Sequence, residues 1–158
     1  MTAFRRFLPA AIALLLATGV SAQMSDHFSN AQLMERARHL RELAAAGDGS
    51  ASETLATYPR HHTMLAFRSK SGGGELHQHY ADLFYILDGK ATLLTGGKVD
   101  DQETTGPGEI RGSGVSGGHE QALKAGDVVH IPAGMPHQMV LAAGDTVTYF
   151  VVKMQESE

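Results

Sequence analysis

From about residue 53 onward the chain is written in short runs of period two, separated by glycine-bearing turns. Segments 53–58, 63–68, 75–79, 83–87, 91–95, 128–131, 138–141 and 146–153 each have the length and alternation of a strand. The turns between them are Ser71-Gly72-Gly73-Gly74, Asp88-Gly89, Gly96-Gly97, Lys124-Ala125-Gly126 and Ala143-Gly144-Asp145. Many short strands with frequent turns leave little choice: the fold class is all-β, a sandwich or barrel. Asp88-Gly89, between two apolar runs, predicts a hairpin. The polar, glycine-rich stretch 98–121 breaks the rhythm. It is longer than the ~12–15 residues of an ordinary loop and predicts an insertion over one mouth of the barrel.

Two segments precede the strands. Residues 29–46 read as one helix, with Ser29 as N-cap, Gln32 completing a capping box and Gly47 as the stop. Leu33, Ala37, Leu40 and Ala44 fall on one face of it. Before that, Arg5-Arg6, the apolar run 7–20 and the small residues Ser21-Ala22 have the form of a secretory signal cleaved ahead of Gln23. The run is too short for a stable membrane span. The expected organisation is a signal peptide over 1–22, an N-terminal helical segment over 23–52 and a barrel domain over 53–158. The expected location is exported, periplasmic or extracellular.

The chemistry available is narrow. With no cysteine, thiolate nucleophiles, Cys-ligated zinc, iron–sulfur clusters and disulfides are all excluded. Thirteen Lys+Arg against 17 Asp+Glu, with no basic block, argue against nucleic acid as a partner. The remaining resource is imidazole, nine of them. On a strand His77 and His79 would project from one face, and Asp82 follows after a short turn. Paired imidazoles beside a carboxylate suit a first-row transition metal. Further on, Gly126-Asp127-Val128-Val129-His130-Ile131-Pro132-Ala133-Gly134-Met135-Pro136-His137 ends one strand, turns, and starts another on a histidine.

This second stretch resembles the second motif of the cupin family: Gly, five residues, Pro, one residue, Gly, two residues, His. Gly126, Pro132, Gly134 and His137 fill those places. His77, His79, Asp82 and Gly89 are similar to the first cupin motif, with Asp for Glu and a shortened spacing after His79. The opening glycine is out of register. The resemblance covers roughly 53–153. It implies a small cupin barrel with an N-terminal helix and one divalent transition metal (Mn, Fe, Ni, Co, Cu or Zn) held by His77, His79, Asp82 and His137. Asp82 is the least secure of the four, a direct ligand or one that orients a ligand.

His130, within a strand, has a core or pocket face as alternatives, and His119, in the long stretch, is a solvated loop histidine or an acid–base group over the pocket. His61 and His62 lie near a barrel end or a subunit contact, and His27, just after the cleavage site, and His39, on the helix, carry no chemistry. The resemblance further implies a small-molecule substrate or ligand and a homodimer built by edge pairing. Two functions follow: a metal-dependent enzyme of oxygenase, lyase, isomerase or decarboxylase type, or a non-catalytic binding module. The ligand set alone does not separate them.

Overall fold

The computed structural model describes residues 25–156; the segment 1–22, expected to be a signal peptide, lies outside them. Helix α1 (Asn30–Ala46) starts from the Ser29–Gln32 capping box and closes at Gly47. Its buried residues are Leu33, Ala37, Leu40 and Ala44, the four that the periodicity selects. Twelve strands follow among the described residues: β1 (Ser50–Thr57), β2 (His61–Arg68), β3 (Gly74–His77), β4 (Tyr80–Thr95), β5 (Lys98–Asp100) and β6 (Glu103–Gly106). Then come β7 (Glu109–Gly112), β8 (Gly114–Ser116), β9 (His119–Lys124), β10 (Val128–Ile131), β11 (His137–Val140) and β12 (Val147–Gln155). The fold is mostly β, an antiparallel sheet curled into a half-barrel with one N-terminal helix.

The main sheet runs β1-β2-β12-β4-β11-β3-β7-β6, with β9 and β10 also paired to β4, and β5-β8 form a separate ribbon. β4 is the spine. Its first half pairs with β12 and β10, its second half with β11 and β9. The expected hairpin at Asp88-Gly89 does not form, because the chain runs straight through it as one strand. Gly89 has a positive φ of 80°, and the β4–β12 register slips beside it. A turn-forming dipeptide serves here as a bulge that carries one strand from one layer to the next.

Two apolar clusters result. Phe84, Ile86, Leu93, Ile131, Met139, Val147, Tyr149 and Val151 pack between the curled layers. The inward face of α1 packs on Leu65 and Phe67 of β2. Alternate residues of β2, Met64, Ala66 and Arg68, line the cavity on the other face. β2 is therefore covered on both sides, by the helix and by the barrel interior.

The stretch 98–121 is no bare loop. It contains β5 to β8 and the start of β9, and through β7 it forms part of the wall. No helix among the described residues is long and apolar enough to cross a membrane.

Candidate metal centre

β3 lies between β11 and β7, and the register of this triple sets the site. Glu75 stands opposite His137 on one side and Arg111 on the other, while His77 stands opposite Glu109. Because side chains alternate along a strand, Glu75 and His77 share the inward face. The facing layer supplies a second rung, His62 on β2, Lys153 on β12 and Asp82 on β4. Glu75, His77, Asp82 and His137 meet between the two.

His77 Nε2 lies 3.5 Å from Glu75 Oε2 and 3.4 Å from Asp82 Oδ2. His137 Nε2 lies 3.9 and 3.8 Å from the same two oxygens. Ligands bonded at ~2.1 Å in a tetrahedral arrangement are themselves separated by about 3.4 Å. Each imidazole nitrogen thus stands from each carboxylate near the spacing that two ligands of one ion require, and Glu75, His77 and His137 form a cluster that could bind a metal ion.

The far sides of both rings are fixed. His77 Nδ1 is 2.6 Å from Glu109 Oε2, and His137 Nδ1 is 3.1 Å from the Met135 carbonyl oxygen. A carboxylate and a carbonyl can only accept, so Nδ1 donates in each ring, and in the neutral ring Nε2 keeps its lone pair. That is the tautomer a metal needs, held by an outer layer of partners. His137 Nε2 is buried without a hydrogen-bond partner among the described residues. Burial pushes the His137 imidazole below its usual range, ahead of the opposing pull of Met135, Glu75 and Asp82, so it is neutral near pH 7. Burial resists ionisation of Glu75 too. The hydrogen bond with His77 and the charges of Arg111 and Arg68 outweigh it, holding that carboxyl well below the usual carboxylate range.

The surrounding charges are tightly engaged. Arg111 pairs with Glu75 and, at 3.5 Å, with Glu109. Arg68 reaches Glu75 at 3.4 Å and donates from Nε to the Tyr149 hydroxyl at 3.0 Å. Lys153 Nζ reaches Asp82 at 3.3 Å. Beside these groups opens a cavity of about 690 Å³, walled by Met64, Phe84, Met139 and Val151 and reaching toward Ser50 and Ser52 on β1.

Of the four residues expected from sequence, the structure brings His77, Asp82 and His137 together. It does not bring His79. β3 ends at His77, and Gln78 and His79 form a bend that leaves His79 exposed against Gly108. The same-face pair is instead Glu75 and His77, one step earlier along the strand. Glu75 went unnoticed although it stands two residues before His77; Glu109, Arg111, Arg68 and Lys153 carried no local signal. His119 and His130 are exposed on β9 and β10, away from the cavity lining. His62 is half-buried in that lining, and burial together with the Lys153 charge lowers its pKa.

Comparisons with known proteins agree with this architecture. The AraC-like ligand binding domain family matches residues 111–158. No curated protein matches the chain significantly. Among solved structures, a DMSP lyase, DddQ from Ruegeria pomeroyi, is similar at 17% identity and a TM-score of 0.51. The match covers 70% of this chain and 49% of the lyase, so this chain spans about half the length of that relative. A cupin domain from Schizosaccharomyces pombe matches at 12% identity and a TM-score of 0.51, over 68% of this chain and 65% of that one. An uncharacterized protein with a double-stranded beta-helix domain, from Klebsiella pneumoniae, matches at 14% identity and 0.51, over 68% and 77%. At such identities the likeness speaks for the fold.

Proposed function

Taking as premise that the chain is by fold a member of the cupin superfamily, we propose that it binds one divalent transition metal and acts through it on a small organic molecule. The ligands are Glu75, His77, Asp82 and His137, two imidazoles and two carboxylates. The observation that carries this reading is the buried, unpartnered Nε2 of His137 aimed between two carboxylates. An unsatisfied polar atom in a protein interior costs about 1–3 kcal/mol unless something meets it. A lone pair facing two anions is met by a cation.

A divalent ion at this position supplies Lewis acidity toward a carbonyl or carboxylate oxygen. The protein's own residues do the rest. Glu109 and Met135 hold the rings in the right tautomer, and Arg111 and Arg68 hold Glu75 ionised and in place. The apolar wall of Met64, Phe84, Met139 and Val151 excludes water from one side of the cavity. A family match to a ligand binding domain over 111–158, which includes β11 and β12, supports a small molecule in that space. The reaction belongs to the lyase, isomerase, oxygenase or decarboxylase types. The proposal also takes the chain as exported after loss of 1–22 and as a homodimer.

Elemental analysis of the purified chain, reconstituted with Mn, Fe, Co, Ni, Cu or Zn in turn, is expected to find about one ion per chain. No uptake of any of them rejects the reading. Incubation with a panel of diketones, phenols, uronates and hydroxy acids then separates enzyme from binding module: consumption identifies the first, and thermal shift without consumption the second.

Glu109→Ala tests the outer layer. It is expected to weaken metal binding by about 10–100-fold in a chelator competition, because His77 loses the acceptor that fixes its ring. An unchanged affinity would show that Glu109 plays no part in orienting His77.

A further inference from the structure

Three cations line the cavity, and their engagements differ. Arg111 is shared between two carboxylates, and Arg68 between a carboxylate and a tyrosine hydroxyl. Among the described residues Lys153 has one carboxylate partner, Asp82, at 3.3 and 3.5 Å, the long end of the hydrogen-bond range. Nζ also lies 5.9 Å from the centre of the Tyr80 ring, which accepts no ordinary hydrogen bond. The side chain is 15% exposed, so most of it has been taken out of water. An ammonium carries three N–H donors, and burying them without acceptors is costly. Asp82, moreover, turns its second oxygen toward the two imidazole nitrogens, so the one partner of Lys153 is also a metal ligand in the reading above.

The charge balance points the same way. The cavity is lined by the acids Asp48, Glu75, Asp82 and Glu109 and by the bases Arg68, Arg111 and Lys153. A net of −1 among these becomes +1 with a divalent ion in place. Asp82 then shares its charge between ion and ammonium, which leaves Lys153 short of an acceptor on the cavity side.

We infer that the cavity takes a small carboxylate-bearing organic ligand, and that Lys153 binds its carboxylate next to the metal position. This rests on the metal-binding reading. The two arginine forks, the better match for a phosphate's several oxygens, are already occupied. One ammonium beside the metal position fits a single planar carboxylate, and the wall of Met64, Phe84 and Val151 fits the carbon skeleton behind it.

The test uses the full chain loaded with Co(II), whose visible bands report on its ligands, and titrates malonate, its neutral twin malonamide, and inorganic phosphate. Cobalt content is measured first. A chain that takes up neither cobalt nor any of the other five ions overturns both readings at that stage, before any ligand is added; one that takes up another of the six is loaded with that ion and the same ligands are followed by calorimetry. On a loaded chain, malonate is expected to perturb the cobalt bands and to bind at least about tenfold more tightly than malonamide, as a charge-assisted contact requires. Lys153→Met is expected to weaken malonate about tenfold or more with cobalt stoichiometry kept, and Lys153→Arg to retain binding within a factor of about three. Equal binding of malonate and malonamide, tighter binding of phosphate, or an unaffected Lys153→Met overturns the inference while the metal reading stands. If Lys153→Met does not fold, the comparison of malonate with malonamide on the unaltered chain decides alone.

Discussion

His137→Ala is expected to leave the protein without bound metal after dialysis, an effect larger than the ~10–100-fold that loss of an outer partner costs. The imidazole supplies one of four converging donors, and nothing nearby replaces it. Thermal stability of the metal-free form should change little. Removing the ring opens a small cavity, which destabilises, but it also removes a buried nitrogen that has no partner. The control is His79→Ala. That side chain is exposed beyond the end of β3, so its loss should leave metal content as it was. Elemental analysis of the two variants reads both. The opposite pattern, metal lost with His79 and kept with His137, would show that the ligand set is wrong.

Phe67→Ala carries the largest expected effect on stability. Phe67 is 2% exposed and packs with Leu33, Leu40 and Leu65 where α1 meets β2, with Arg41 5.1 Å over its ring. Truncating a buried phenylalanine costs about 3–5 kcal/mol, a large part of the ~5–15 kcal/mol that holds an ordinary domain together. Urea denaturation should show a lower midpoint at an unchanged slope. A loss under about 1 kcal/mol would mean that α1 does not cover this sheet in solution.

The helix and the strand rhythm were legible because both are local. Four apolar residues at helical spacing and a capping box fix α1, and period-two runs fix most strands to within a few residues. His137 was legible through the spacing of Gly126, Pro132 and Gly134. What failed was a matter of where a strand stops. His-x-His and Glu-x-His are equally good same-face pairs, and only the bend at Gln78 and His79 selects Glu75 with His77. Asp88-Gly89 failed for a related reason, since a dipeptide that can turn can also bulge, and the partners on either side of β4 decide. Glu109 and Arg111 were out of reach altogether. They lie in a polar stretch, on a strand whose one apolar residue is Ile110, and they matter because β7 happens to lie against β3 in a particular register.

That register has an evolutionary edge. β3 is four residues long, and its glycine start is pressed so closely on the neighbouring backbone that a Cβ at Gly74 would fall 2.2 Å from the Gly114 carbonyl oxygen. The strand works as a reading frame. A slip by one residue would turn Leu76 into the cavity and send Glu75 and His77 out together, because alternate residues change face as a set. Single substitutions can trim this centre one ligand at a time. An insertion or deletion in the loop before Gly74 would erase half of it in one event, so length variation should be tolerated in the segments around β5 and β8 and purged between Arg68 and Gly74.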